Sequence, residues 1–200
     1  MAINSTFYRR VAELHIANIN LGFLSTLGLG FVALMYEAID QGKGSVLLVS
    51  EVNGRVVGFV AGATGMGSIY RRMLRSWPRL FITLLPSLFS PGRVWRILEI
   101  LRYSSGPTML DNLPTAELIS IAVDPAFRGM GHAERLYQGL ADHYQSEGLL
   151  AFKIVVGSAL APAHRFYRRM GAEPVADLEV HSGENSIVYV HKLRTPNGHV

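Results

Sequence analysis
One stretch limits the possible folds more than any other: Arg128-Gly129-Met130-Gly131-His132-Ala133, wedged between an apolar run and an amphipathic one. Upstream lies Leu118-Ile119-Ser120-Ile121-Ala122-Val123, closed by Asp124-Pro125. Downstream, Ala133, Leu136, Leu140 and Tyr144 fall on one helical face. The first run reads as a strand and the second as a helix. A glycine turn that feeds a helix presents free backbone N–H groups at the positive end of the helix dipole, which is an anion site and most often a phosphate site. Alone the turn is weak evidence, because glycines after a strand commonly serve only to reverse the chain. The order of elements around it decides.

The remaining elements are set by periodicity. Residues 6–19 read as a helix with Val11, Leu14 and Ile19 as apolar points and Thr6 as its cap. Gly22, Gly28 and Gly30 break the next stretch, and a second helix covers 31–41, ending at Gly42 and Gly44. Strands at 46–52 and 55–62 flank Asn53-Gly54, a strong hairpin signal. After the helix at 133–147 come a strand at 151–156 and a short helix from Pro162 to Gly171, carrying Ala163, Phe166, Tyr167 and Met170 on its apolar side. A closing hairpin spans 175–181 and 186–193, and 194–200 form a loose tail. This order predicts a mixed α/β (α+β) layout with an antiparallel front half, unlike a repeated βαβ dinucleotide fold.

The segment at 65–106 differs in character. Trp77, Leu80, Phe81, Leu84 and Leu88 repeat at helical spacing, as do Val94, Ile97, Leu98 and Leu101 after Pro91-Gly92. Between Gly67 and Tyr103, seven arginines (Arg71, Arg72, Arg75, Arg79, Arg93, Arg96, Arg102) face one acid, Glu99. Two basic amphipathic helices are predicted there.

Bulk composition narrows the class. Two hundred residues suit one domain, with 65–106 as an insertion within it. A hydrophobic content of 49% with 17% charged residues excludes a disordered chain. With no cysteine, disulfide scaffolds, zinc-thiolate sites and thiol nucleophiles are excluded. The start, Met1-Ala2-Ile3-Asn4-Ser5, lacks signal-peptide character, and no apolar run reaches the roughly 18 residues of a span. A cytoplasmic protein is the expectation. The net charge of +4 fits an anionic ligand or a lipid surface, whereas no nucleic-acid-binding signature is present.

Residues 117–171 resemble the acyl-CoA-binding core of the GNAT superfamily of N-acetyltransferases. Its members carry an Arg/Gln-x-x-Gly-x-Gly/Ala turn after their fourth strand, matched here by Arg128-Gly129-Met130-Gly131-His132-Ala133. They later carry a Tyr-x-x-x-Gly-Phe/Ala helix end, matched by Tyr167-Arg168-Arg169-Met170-Gly171-Ala172. Ile121-Ala122-Val123-Asp124-Pro125 is similar to the family's run into the turn. The likeness is weaker over the 46–62 hairpin, poor over the first 30 residues, and absent from 65–106. One position departs. The family often places an Asn seven residues before the tyrosine, where this chain has Leu160.

The resemblance implies a GNAT fold, with a mostly antiparallel sheet flanked by helices. It also implies acetyl-CoA as co-substrate, lying where the fourth and fifth strands splay apart. Backbone N–H groups of Gly129, Met130, Gly131, His132 and Ala133 would face the pyrophosphate, with Arg128 adding charge or bracing the loop. The pantetheine arm would pair with main chain of Ile121, Ala122 and Val123 like an added strand. Oxyanion stabilisation would come from the backbone N–H near Val123. Some members place a catalytic Glu six residues before that position, so Glu117 is the candidate base, acting directly or through a water. Tyr167 matches the family tyrosine and is the candidate acid.

Each candidate has a plainer reading: Glu117 as an exposed or ion-paired residue at a strand start, Tyr167 as core. The seven histidines form no metal-ligand spacing on a shared helix, and no metal is expected. The expected function is acetyl transfer from acetyl-CoA to a primary amine of a small-molecule or sugar-type acceptor, by direct attack in a ternary complex. The alternatives are a non-catalytic acyl-CoA-binding module and a membrane-surface module contacting lipid through 68–103. A homodimer packed through the basic helices is also compatible.

Overall fold
The computed structural model describes residues 2–19, 23–88, 113–180 and 184–194. The helix expected around 94–101, the turn at 181–183 with His181, and the tail from 195 with His199 lie outside the described residues.

Two helices lead the chain: α1 (Ala2–Asn18), and α2 (Leu29–Asp40) after a short 3-10 turn at Phe23–Leu27. Helix α1 begins before Thr6, so Thr6 is not its cap. Strands β1 (Ser45–Val52) and β2 (Arg55–Ala63) form the predicted hairpin. Asn53 and Gly54 hold φ of 52° and 74°, the paired left-handed conformation whose twist matches that of the strands. Helices α3 (Gly67–Arg75) and α4 (Trp77–Leu88) come after the hairpin. Next come β3 (Glu117–Val123), α5 (His132–Ser146), β4 (Ala151–Gly157), α6 (Ala161–Arg169), β5 (Glu173–Val180) and β6 (Glu184–Lys192). Among the described residues, no helix is long and apolar enough to cross a membrane.

The six strands form one sheet in the order β1-β2-β3-β4-β6-β5. Every neighbouring pair is antiparallel except β3 and β4. The expected mixed, mostly antiparallel sheet flanked by helices is therefore the architecture. One face packs against α1 and α2, where Val11, Leu14, Val32, Met35, Ile39 and Phe59 are buried. The other packs against α5 and α6, where Leu136, Tyr137, Leu140, Tyr144, Phe152 and Tyr189 are buried. Helix α5 lies so close to β2 that a Cβ on Gly62 would come within 2.7 Å of Leu140 Cδ1, so only glycine fits that contact.

Two irregularities in β3 shape the centre of the molecule. Ser120 pairs with Ala61 and Leu118 with Gly62, leaving Ile119 unopposed. This bulge reverses the side-chain alternation: Leu118 joins the α5 core, while Ser120 and Ala122 face α2. The ladder between β3 and β4 contains only Glu117 with Lys153 and Leu118 with Ile154. Beyond those pairs the strands separate, while β4 stays paired with β6 along its whole length.

Helix α3 is not visible as a separate element in the sequence, because nine residues with two buried positions, Ile69 and Met73, give too short a repeat. Helix α4 matches the periodicity of Trp77, Leu80, Phe81 and Leu84. Its Arg79 grips Glu37 of α2 with both terminal nitrogens, at 3.1 and 2.7 Å.

Candidate active site
Where β3 and β4 part, a cavity of about 580 Å³ opens. Its lining comes from both faces of the sheet. Asn18, Ser120 and Ala122 contribute from the α1/α2 side, and His132, Ala133, Phe166 and Tyr167 from the α5/α6 side. The cavity thus passes through the sheet plane at the gap.

One edge of the gap is main chain that no neighbouring strand pairs. The Asp124 amide donates to the Val57 carbonyl at 2.8 Å. In an antiparallel ladder, successive residues turn their N–H and C=O groups to opposite sides. With the regular register from Gly58–Val123 to Ala61–Ser120, Ala122 and Ser120 therefore bond to β2. Ile121 and Val123 direct theirs toward β4, which has already diverged. A strand-like ligand has an open edge there.

The glycine turn closes one end of that edge. Asp124 accepts from the Ala126 amide at 3.2 Å with one carboxylate oxygen, capping the 3-10 turn Pro125–Phe127. Its other oxygen accepts from Arg10 at 2.9 Å and from Arg55 at 3.4 Å. The turn is thereby anchored to α1 and β2 through a residue that the sequence alone marks only as a strand end. Gly129 and Gly131 both have φ of 76°, the left-handed conformation that costs an L side chain about 1–2 kcal/mol. Gly131 is the N-cap residue of α5 and supplies no side-chain cap, so the N-cap position leaves the first N–H groups of that helix uncovered.

The side chains of the turn divide between two tasks. Arg128 donates from Nη2 to Asn18 Oδ1 at 2.6 Å and from Nε to the Val123 carbonyl at 3.3 Å, so it braces the turn against α1. The exposed Met130 points to solvent, and neither it nor Gly131 lines the cavity. His132 is buried, with Nδ1 2.7 Å from Ser50 Oγ and 3.1 Å from Arg135 Nη2. Since a guanidinium only donates, Nδ1 is the accepting nitrogen and the ring proton belongs on Nε2.

Tyr167 lies inside the cavity, its ring against Tyr137, Phe166 and Tyr189. The hydroxyl makes no hydrogen bond to a described residue, yet it is absent from the sealed, unpaired atoms His15 Nε2, Tyr137 Oη and His191 Nδ1. It therefore reaches the cavity. Burial raises its pKa and holds the phenol protonated. Helix α6 is fixed by His164, which bonds Tyr189 Oη at 2.9 Å and the Gly157 carbonyl at 3.1 Å. Across the cavity mouth, Arg169 of α6 meets Glu134 of α5 at 2.6 Å.

Glu117 is not brought into the cavity lining. It stands at the first position of β3, paired with Lys153 of β4 and 3.7 Å from Lys153 Nζ, and Lys153 also donates to the Pro114 carbonyl at 3.0 Å. Burial raises the Glu117 pKa, and the Lys153 ammonium partly offsets this. Its charge in turn helps to raise the Tyr70 and Tyr144 pKa values, after burial. A carboxylate made more basic by burial has the electrostatics of a general base.

Sequence reasoning misses a buried hydrogen-bonded series on the α2 side. His15 Nδ1 lies 2.6 Å from Tyr36 Oη, which lies 2.9 Å from Ser120 Oγ. These residues are 21 and 84 positions apart, and no spacing in the sequence links them.

Comparison with known proteins agrees with this geometry. The Acetyltransferase (GNAT) family model matches residues 28–172. No protein of curated function matches the chain by sequence. Among solved structures, an acetyltransferase is similar with a TM-score of 0.59 at 18% identity, over 95% of this chain and 96% of that one. A Desulfovibrio desulfuricans protein, provisionally described as a GNAT-family acetyltransferase, gives 0.58 at 16% identity over 96% and 94%. An N-acetyltransferase from Staphylococcus aureus Mu50 gives 0.57 at 15% identity over 92% of each chain. At such identities the likeness is one of fold.

Proposed function
The chain belongs to the GNAT acetyltransferase family, and from that premise we propose that it moves an acetyl group from acetyl-CoA to a primary amine of a small-molecule or sugar-type acceptor, by direct attack in a ternary complex. The observation that carries this reading is the open main-chain edge of Ile121 and Val123, leading from the Gly129–Gly131 turn into a cavity that crosses the sheet. The described residues fit the coenzyme. The turn offers main-chain donors at a helix start, the β3 edge offers amide partners, and the cavity is walled by hydrocarbon and rings.

The thioester supplies an activated acetyl carbon. Unpaired N–H groups on β3 orient it and stabilise the charge that builds on its oxygen. Glu117 accepts a proton from the incoming ammonium through water, since it stands outside the cavity lining; a free alkylamine has a pKa near 10.4, so this step is needed at neutral pH. Tyr167 donates a proton to the departing thiolate. A thiol pKa of about 8.5 makes that acid an aid rather than a requirement.

Calorimetric titration with CoA and acetyl-CoA, joined to a thiol-release assay over a panel of amines, tests the reading. Binding of both, with release dependent on an amine, is expected. Binding without release to any amine would favour a non-catalytic acyl-CoA module. No heat and no thermal protection would overturn the proposal.

A second reading rests on a different surface. Leu74, Trp77, Phe81 and Ile82 are exposed on α3 and α4 beside Arg71 and Arg75, a pattern suited to peripheral contact with anionic lipid. Salt-sensitive sedimentation with anionic vesicles supports it, and lack of sedimentation at low salt refutes it.

A further inference from the structure
The His15, Tyr36 and Ser120 series lies in an otherwise apolar core beneath the gap. Tyr36 is fully buried and His15 nearly so, among Phe59 and the α1/α2 core. Burying three polar side chains there is costly unless each is bonded. Two hydrogen bonds satisfy most of the set, and one atom stays unpaired, His15 Nε2. Burial lowers the His15 pKa to about 4, so the ring is neutral near pH 7.

That unpaired atom fixes the direction of the series. A neutral imidazole has one N–H and one bare nitrogen. Buried orphan N–H groups are rarer than under-satisfied acceptors, so the bare nitrogen is assigned to Nε2 and the proton to Nδ1. His15 then donates to Tyr36 Oη, and Tyr36 donates to Ser120 Oγ. The Ser120 proton is left with no acceptor among the described residues. Ser120 lines the cavity beside the bulge at Ile119. At a rise of about 3.3 Å per residue, it lies about 10 Å farther along β3 than Val123, away from the glycine turn.

We propose that the Ser120 hydroxyl donates a hydrogen bond to the thioester carbonyl oxygen of bound acetyl-CoA, and that Tyr36 and His15 are positioning residues that turn its proton into the cleft. This rests on acetyl-CoA as the ligand of the cavity. As the C–N bond forms, the carbonyl π electrons move onto oxygen, and the Ser120 O–H···O contact strengthens while its proton stays on Oγ. When C=O re-forms, the C–S bond breaks and its electron pair leaves on sulfur, which takes the Tyr167 proton, while the proton shed by nitrogen restores the phenol. Ser120 would thus act with the neighbouring open N–H of Ile121 on one oxygen, while the Val123 N–H, about 10 Å away, would face the pantetheine arm.

The test needs no knowledge of the acceptor. Acetyl-CoA labelled with carbon-13 at the carbonyl is bound to the wild type and to S120A, S120T and Y36F, and the shift of the labelled carbon is read relative to free ligand. A downfield displacement is expected in the wild type, kept in S120T, mostly lost in S120A and reduced in Y36F. With any amine that supports turnover, S120A lowers kcat about 100-fold, with acetyl-CoA affinity within about threefold of wild type. Equal displacement in S120A and wild type overturns the inference while leaving acetyl-CoA binding intact. Failure of the wild type to bind acetyl-CoA overturns it together with the functional reading. Y36F stands in if S120A does not fold. Were the series to run the other way, removing the Tyr36 hydroxyl would free the serine proton, so an unchanged or larger displacement in Y36F also overturns it.

Discussion
On the α5 side of the gap between β3 and β4, the groups proposed to hold ligand are main chain, and on the α2 side they are side chains. The first wall consists of Gly129, the start of α5 that Gly131 caps, and the strand-free edge of β3, supported from behind by Asp124 and Arg128. The second consists of Ser120 held by Tyr36 and His15. A coenzyme shared by many enzymes can be gripped by backbone, whose groups do not change with sequence. Polarising one carbonyl requires a particular hydroxyl in a particular orientation, and that takes several packed residues.

The sharpest way to break this contrast is to alter the backbone wall without touching its charge. Gly131→Val places a β-branched side chain at φ 76°, with a Cβ 3.1 Å from Arg135 Nη1. The turn must distort or the ligand must retreat. Affinity for CoA should fall by about 4 kcal/mol, or about 1,000-fold, in calorimetry. A variant that binds within tenfold of wild type would mean that the turn does not hold the diphosphate.

Next in size is Tyr167→Phe. The ring keeps its contacts with Tyr137, Phe166 and Tyr189, so folding and CoA affinity should be nearly unchanged. Loss of a donor held protonated by burial should lower kcat about 100-fold. Unchanged turnover would leave the tyrosine as a packing residue.

The two walls also differ in how much of them can be read from the sequence. The glycine turn, β3, α5 and the hairpin at Asn53-Gly54 obey local rules, since the relevant residues are neighbours in the chain. The separation of β3 from β4 is not local, because it depends on where a parallel ladder stops. The bulge at Ile119 is equally hidden, and it alone turns Ser120 toward α2. Strict alternation would have grouped Ser120 with Leu118 on the α5 side. Glu117 shows a third case: its residue type and position are readable, but its ion pair with Lys153 and its place outside the cavity lining are not.

That ion pair provides a smaller, pH-dependent test. Burial lifts the Glu117 pKa above its unfolded value. Folding therefore favours the protonated carboxyl, a contribution fully present below the unfolded pKa and lost as pH rises through the folded one. As a base, Glu117 must be ionised, so the acid limb of kcat/KM should lie above the ordinary carboxylate range. Glu117→Gln should lower kcat about tenfold and remove that limb. Lys153→Met removes the cation that opposes the shift and should move the limb to higher pH. A limb that ignores both substitutions would exclude Glu117 as the base.

The smallest effect is expected where the family pattern is absent. Leu160 occupies the position at which related enzymes often have an Asn toward the pantetheine arm, and here it lines the cavity with a partly exposed side chain. Its Cδ1 would lie 3.8 Å from a Cβ added to Gly157, so it packs loosely against the end of β4. Leu160→Asn supplies the missing amide without disturbing the core. If Ile121, Val123 and the glycine turn already hold the coenzyme, an added side-chain contact gains little, since its hydrogen bond replaces one to water. Acetyl-CoA affinity should then change by less than about threefold. Tightening beyond tenfold would show that the main-chain wall is incomplete in this chain and that a side-chain contact was lost when leucine took that place.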